Sequence, residues 1–447
     1  MYEIKSVSLK ELAKEIDGEL IGENLNVKSI SLNSKEKTRQ NAIFVALKGK
    51  RYNANTFVSE AVENGAVAIL TDEKLDTEIP YIKVQNSTKA LGLIAKRNIK
   101  RTKVIGVTGS VGKTTTKNMI ISVLGSTFSV SGTNENENNE IGVAKTLLKV
   151  KKEDFCVLEM GMRAKGDIDY LASISHPETA IVTNIGTAHI ERLGSRENIF
   201  KAKMEILNYN PENFISTYDK FYSNYQFNTA KNTYFVGDGT LCNTEIIDIT
   251  KSFIIFRVLE NGKKSDKMKI YSLNEANLLN ALIAYKLGKI YGLCDKQIAS
   301  GISSYKHESM REEIVTVGDI LVINDAYNSS LESVKKSIEM LINYSKSYKK
   351  VPYLLLGDIL ESGENDIDYY EEIAKECSKF NLKRVYLFGE KILRAKNLFK
   401  DSIYCNNFKD MASLLTRKLG EKDLLLLKGS RDVKLERIIE EMRRIKP

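Results

Sequence analysis

The stretch KVIGVTGSVGKTTTKNMIISVLGS, Lys103 to Ser126, constrains this chain more than any other. A β-branched run breaks at Gly109 and Gly112 and resumes as an amphipathic pattern, which reads as a strand, a glycine turn and a helix. In that arrangement backbone N–H groups and the positive helix end cradle phosphate oxygens. Lys113 would reach the β and γ phosphates of ATP, and the Thr114 hydroxyl would hold Mg²⁺. Thr108, Gly109, Ser110, Gly112, Lys113, Thr114 and Thr115 are therefore the expected nucleotide-binding residues. The strict pattern G-x-x-x-x-G-K-[ST] asks for glycine where this chain has Val107. The strand before and the Lys-Thr pair after carry the assignment; an ordinary glycine-rich turn between strand and helix is the plainer reading.

Apolar runs recur on both sides of this stretch: AIFVALKG and GAVAIL before it, DFCVLEM and TAIVTNIG after it, then DILVINDA, PYLLLGDI, KRVYLFGE and DLLLLKGS. Helical patterns such as FVSEAVEN, NEANLLNALIAYKLGKIYG and SLESVKKSIEMLINYSK separate them, giving an α/β class of protein. A less regular, strand-rich part spans about Thr233 to Tyr271. With 447 residues the chain suits three α/β domains in series, with soft junctions near 100 and 310: 1–100, 101–310 and 311–447. Lys and Arg number 67 against 58 Asp and Glu, a net charge of +9 with no long basic tract, so nucleic acid is not implied. Cys156, Cys242, Cys294, Cys377 and Cys405 lie far apart and read as reduced thiols. The N-terminus lacks a signal-peptide core, and runs such as Leu424 to Leu427 are far too short to span a bilayer. A cytoplasmic protein without membrane insertion is expected.

Glu159 ends the strand FCVLEM, and a carboxylate there lies on the sheet edge that carries the phosphate loop, making it a candidate magnesium ligand. A solvated strand-end carboxylate would look the same. His189 follows the strand AIVTNIG and is one of only 3 histidines; spacing alone does not separate it from a packing residue.

TGSVGKTTTKNM, NENNEIG from Asn136, EMGMRAKGDI from Glu159, TNIGTAHIERLGS from Thr183 and KAKMEI from Lys201 have the order and spacing of the Mur ligases. MREE from Met310, INDAYNSSLES from Ile323, GDILESGE from Gly357 and LKGSR from Leu427 resemble the branch that adds the last dipeptide to the peptidoglycan precursor. FVALKGKRYNANTFVSEAVENGAVAIL, from Phe44, is similar to the uridine-nucleotide domain, so the resemblance covers nearly the whole chain.

The resemblance implies a small N-terminal UDP-substrate domain, a central P-loop ATPase domain and a C-terminal Rossmann-like domain. It implies an ATP-dependent ligase that adds D-Ala-D-Ala to UDP-MurNAc-tripeptide through an acyl phosphate, acting as a monomer. Thr114 and Glu159 resemble ligands of one Mg²⁺, Glu159 and His189 those of a second. Lys203 matches a lysine that CO2 carbamylates in many family members, a catalytic group whose carbamate would help position the second Mg²⁺ beside His189, with Lys201 beside it as a decoy. Asn277 and Asn280 match adenine-side asparagines, Arg311 an arginine reaching the ATP phosphates, and Asp325 a carboxylate near the ribose. Tyr327, Asn328, Lys428, Ser430 and Arg431 fall in blocks expected at the domain closure and the incoming amine.

The chain departs from the family pattern at several positions. Ser31-Leu32-Asn33-Ser34-Lys35 stands for Ser-x-Asp-Ser-Arg, and Asn53-Ala54-Asn55 for Asp-Gly-His. Ala276 replaces a histidine, and Asn324 the first Asp of Asp-Asp-x-Tyr-Asn. These changes leave open a paralogue that joins a different amine or carboxylate. The same residues also admit a non-ligase P-loop ATPase, or a binding protein that keeps the fold without turnover.

Overall fold

In the computed structural model, which describes residues 1–38, 41–49, 52–99, 101–134, 136–227, 229–360, 366–380 and 382–446, the strands pair into four sheets laid out in chain order. The first sheet runs Tyr2–Ser8, Asn26–Ser31, Ala42–Val45, Ala66–Thr71, Tyr81–Lys83 and Glu19–Ile21. Its two edge strands are antiparallel and the rest are parallel. Of the blocks singled out above, Lys50 and Arg51 in the uridine-like stretch and Glu361–Glu364 in GDILESGE lie outside the described residues.

The second sheet is all parallel, in the order Asn232–Val236, Asn213–Thr217, Thr179–Val182, Lys103–Thr108, Phe155–Glu159 and Val130–Gly132. Helices cover both faces of such a sheet, so its strands are buried on both sides and read as continuous apolar runs; KVIGVT and FCVLE do so. Register sets the site: Val107 lies opposite Glu159, and Thr108 opposite Val182. The loops that leave these strand ends therefore open at one edge.

An antiparallel sheet of Cys242–Ile249, Ile254–Glu260, Lys263–Lys264 and Met268–Ile270 follows. Next comes the apolar helix Ala276–Ile290, which packs on the helix Lys113–Leu124. The last sheet runs Glu313–Val317, Ile320–Asn324, Asp423–Lys428, Val351–Gly357, Arg384–Phe388 and Ile403–Cys405, parallel except for its first strand.

Two apolar clusters tie these units together. One joins Leu12, Ile43 and Leu91 to Leu147, Ile168 and Ile174. The helix Ser87–Lys96 meets the helix Asp167–Ser175 so closely that a Cβ on Gly92 would strike the Tyr170 hydroxyl. The other cluster joins Ile120, Val123 and Leu282 to Ile338, Leu341 and Leu424.

Candidate active site

The phosphate loop is shaped by its two glycines. Gly109 has φ +152° and Gly112 φ +84°, the latter in the left-handed region where a Cβ is costly, and a Cβ on Gly109 would strike Thr183 Oγ1. The loop is clamped to the neighbouring strand end: Asn184 Oδ1 accepts from the Val111 N–H at 3.0 Å and its Nδ2 donates back to the Val111 carbonyl at 2.8 Å. The helix Lys113–Leu124 has no side-chain cap, so its first-turn amides open into the cavity. Lys113 Nζ lies over the loop, donating to the Gly109 carbonyl at 2.8 Å.

A chain of polar contacts runs from this helix into the sheet. Thr114 Oγ1 donates to Glu159 Oε2 at 2.7 Å, and Asn138 Nδ2 donates to Glu159 Oε1 at 2.8 Å. Glu159 is almost fully buried, at 2% exposure. The Thr114 hydroxyl and the Glu159 carboxylate thus stand side by side, hard oxygens of the kind Mg²⁺ takes as ligands. His189 (φ +68°) precedes the short helix Ile190–Leu193 and lines the same cavity of about 520 Å³. Hydroxyl, carboxylate and imidazole thus face one space, and a donor set rich in hard oxygens fits Mg²⁺.

Lys203 is not among the cavity-lining residues. It is 1% exposed, and among the described residues its ammonium has no hydrogen bond or ion pair. Burial, with the Lys113 charge next, pulls its pKa well below the ordinary lysine value. Lys201, in contrast, is exposed and pairs with Glu197 at 2.7 Å.

Beside the phosphate-loop helix Asn277 Oδ1 accepts from Asn280 Nδ2 at 3.0 Å, and Asn280 Oδ1 accepts from Thr116 Oγ1 at 3.0 Å. Asn277 Nδ2 donates to Ser272 Oγ and Glu312 Oε2, both at 2.9 Å. Glu312 also accepts from the Leu273 N–H and the Tyr344 hydroxyl, and burial pushes its pKa up. Ala276 lines the cavity where the family pattern has histidine.

The C-terminal part closes the cavity. Arg311 Nη2 reaches Thr114 Oγ1, and its guanidinium lies 3.9 Å from the ring centre of Tyr327, whose hydroxyl donates to Asn136 Oδ1. Asp325 Oδ2 accepts from Lys428 Nζ at 2.8 Å and from Ser337 Oγ at 2.6 Å, and Lys428 also donates to the Asn328 carbonyl. Ser430 Oγ accepts from the Leu360 N–H at 2.8 Å, and Arg431 pairs with Glu436 at 2.8 Å.

Of the residues singled out from sequence, Ser110, Gly112–Thr115, Glu159, His189, Asn277, Asn280, Arg311 and Asp325 line one cavity with Tyr327, Asn328, Lys428, Ser430 and Arg431. Thr108 and Gly109 shape the loop from behind, and Lys203 sits beside Lys113. Asn138, Glu312 and Glu332 were not singled out. All three stand inside motif blocks, Asn138 in NENNEIG, Glu312 in MREE and Glu332 in INDAYNSSLES, the only signal that points to them.

At the departures in the first sheet's region, Asn33 Oδ1 accepts from the Lys35 N–H at 3.1 Å, and both residues are exposed. Asn53 caps the short helix Ala54–Phe57 and donates to Glu73, while Asn55 accepts from Thr71 Oγ1 at 2.6 Å. Asn324 donates to Glu313 Oε2 at 2.9 Å.

The Mur ligase middle domain matches residues 107–288, and the Mur ligase glutamate ligase domain matches residues 310–431. The UDP-N-acetylmuramoyl-tripeptide–D-alanyl-D-alanine ligase of Bacillus subtilis (strain 168) is 33% identical over 459 residues, covering 97% of this chain and 98% of that protein. A crystal structure of MurF ligase from Thermotoga maritima in complex with ADP superposes with a TM-score of 0.84 at 29% identity, over 93% of this chain and 97% of that one. MurF from Acinetobacter baumannii shares the fold at a TM-score of 0.90 and 24% identity, over 99% of this chain and 100% of that one.

Proposed function

The chain belongs to the Mur ligase family, and we propose that it uses ATP to join D-Ala-D-Ala to the peptide carboxylate of UDP-MurNAc-tripeptide in peptidoglycan precursor synthesis. The observation that carries this is the convergence on one cavity of a phosphate loop, a buried carboxylate and cations from the C-terminal sheet. Phosphoryl transfer needs the first two, whereas a P-loop switch has no need of an amine-side wall. No helix among the described residues is long and apolar enough to cross a membrane, consistent with work on a cytoplasmic precursor.

In this scheme residues 1–100 bind the uridine nucleotide, 101–310 the ATP and 311–447 the dipeptide. A carboxylate is a poor electrophile; its oxygen attacks the γ phosphorus, ADP departs, and the acyl phosphate is open to attack. The dipeptide amine then bonds to the carbonyl carbon, inorganic phosphate leaves and the amine loses a proton. Ser110, Gly112, Thr114 and Thr115 cradle the phosphates, Lys113 and Arg311 offset the charge that gathers as phosphate meets carboxylate, and Asn277 and Asn280 border the base. Mg²⁺ held by Thr114, Glu159 and His189 would neutralise phosphate charge when bound.

Lys203 fits a carbamate. Burial makes this amine give up its proton more readily, and the neutral amine can add to CO2 with loss of one further proton, so that the product supplies an anionic oxygen pair beside Lys113. Asp325 borders the ribose, and Lys428, which pairs with it, and Ser430 border the amine side.

The test is ADP release with ATP and Mg²⁺, omitting each substrate in turn and varying the amine among D-Ala-D-Ala, D-Ala-D-lactate and single amino acids. Release should require both the nucleotide-peptide and a dipeptide, with D-Ala-D-Ala the best. Hydrolysis indifferent to both would defeat the proposal, and a different preferred amine would mark a paralogue.

A further inference from the structure

The loop that carries His189 is held from two sides. On the phosphate-loop side the Gly186 N–H donates to Ser110 Oγ at 2.8 Å, and the Ser110 N–H donates to the Asn184 carbonyl at 3.2 Å. On the other side stands Glu332, in the first turn of the helix Leu331–Tyr348. Its Oε1 accepts from the Thr187 N–H at 2.8 Å and its Oε2 accepts from the Thr187 hydroxyl at 3.1 Å. Among the described residues these are the only hydrogen bonds of the Glu332 side chain. A Cβ on Gly186 would lie 3.1 Å from both Glu332 Cδ and Ser110 Cβ, so glycine there lets the two sides approach.

Thr187, Ala188 and His189 line the cavity but Glu332 does not, so its carboxylate acts on the site through the loop. Both partners of the contact are neutral donors, and the carboxylate sits at a helix N-terminus, where its charge is favoured without a cation. Thr187 belongs to the part that holds ATP and Glu332 to the part assigned to the amine. The contact therefore exists only while the two parts are seated together.

We propose that Glu332 is a positioning residue, a latch that fixes the Thr187–His189 loop when the C-terminal part seats on the ATP-binding part. The amine side thereby reports its presence to the loop that faces the phosphates. This inference rests on the ligase assignment for its catalytic consequence, but not for the latch itself.

The experiment compares the full-length parent with Glu332→Ala, Glu332→Gln, Thr187→Ala and the Glu332→Ala/Thr187→Ala double variant. Hydrogen exchange read by mass spectrometry should be faster across residues 184–193 in Glu332→Ala, by roughly tenfold or more, as expected when a hydrogen bond to a charged acceptor is lost. It should stay unchanged across residues 113–124, and Glu332→Gln, which keeps one acceptor oxygen, should be intermediate. In ADP release, kcat/KM for D-Ala-D-Ala should fall by roughly ten- to hundredfold in Glu332→Ala. The affinity for ATP alone, by calorimetry, should be unaltered. The double variant should be no worse than Glu332→Ala, because the hydroxyl acts through the same contact.

Parental exchange across 184–193, or parental kcat/KM, in Glu332→Ala overturns the proposal. Equal loosening of residues 113–124 also overturns it, since that would mark a general loss of packing. If the parent itself shows no substrate-dependent ADP release, the ligase assignment fails, and exchange at the loop alone decides the latch.

Discussion

Arg311 Nη2 donates to Thr114 Oγ1 across 3.0 Å, so a guanidinium that follows the helical part of the central region touches the hydroxyl in the first turn of the phosphate-loop helix. Its flat face rests on Tyr327, which bonds in turn to Asn136. One side chain thus stitches three segments around the nucleotide space.

A lysine would keep the charge of Arg311 but lose the planar fork and the ring contact. Arg311→Lys should cut turnover by roughly tenfold and Arg311→Ala by roughly 10²-fold, in line with loss of a preorganised charge at a phosphoryl-transfer site. Steady-state ADP release measures both. Parental turnover in Arg311→Lys would mean that charge alone matters at this position.

Lys113→Ala and Glu159→Gln should each lower turnover by about 10²-fold or more, because both act on phosphate or metal charge. The Glu159→Gln side chain keeps an oxygen for Thr114 and fits the same space, and its amide N–H can be accepted by the Asn138 oxygen once that amide turns over, so its thermal midpoint should stay within a few degrees of the parent. A collapse of the midpoint with activity intact would reverse these roles and make Glu159 a structural residue.

Lys203 gives a paired expectation for activity and stability. Because burial depresses its pKa, the unfolded chain binds a proton that the folded chain releases, so stability falls as pH drops through the window between the two values and recovers as pH rises. In degassed buffer Lys203→Met should lack that limb and melt above the parent near neutral pH. It should also be nearly inactive. Parental activity should fall on degassing at mildly acid pH and return with bicarbonate. Lys201→Ala should match the parent, since its partner Glu197 is a surface one. Full activity of Lys203→Met would end the carbamate proposal.

Much of this site is legible in the sequence because its parts sit where strands end. KVIGVT and FCVLE announce themselves by β-branched and apolar runs, and the loops that follow must gather at one sheet edge. Glu332 and Glu312 belong to a different class. Each stands inside a motif block, MREE or INDAYNSSLES, but nothing in the block says what its carboxylate touches; packing of remote segments puts Glu332 against Thr187 and Glu312 against Ser272 and Asn277. Lys203 is intermediate: the resemblance separates it from Lys201, but only the fold shows one buried and the other in water.

Glu312→Ala should be strongly destabilising, by about 3 kcal/mol or more, because the Leu273 N–H, the Asn277 amide and the Tyr344 hydroxyl would lose a buried acceptor together. Denaturant titration would read this. A change below about 1 kcal/mol would show that water replaces the carboxylate at little cost.

Restoring the uridine-side pattern with Asn33→Asp and Lys35→Arg should tighten uridine-nucleotide binding without altering ATP affinity, both measured by calorimetry, since the two side chains are exposed and far in the chain from the phosphate loop. Asn55→His, by contrast, should destabilise the chain by about 1 kcal/mol, because it removes the acceptor of the Thr71 hydroxyl. Unchanged nucleotide affinity in the first variant would indicate a surface rebuilt around another substrate.

The apolar cluster that joins Leu91 to Leu147 and Ile174 has a bearing on how the protein is made. A ribosome delivers the N-terminal end first, at roughly 5–20 residues per second, so the helix Ser87–Lys96 emerges on the order of several seconds before the helix Asp167–Ser175 that covers it. During synthesis the first hundred residues are thus a half-finished body with a greasy flank. That flank is a natural place for a chaperone to wait, and severing the gene near codon 100 would leave it permanently bare.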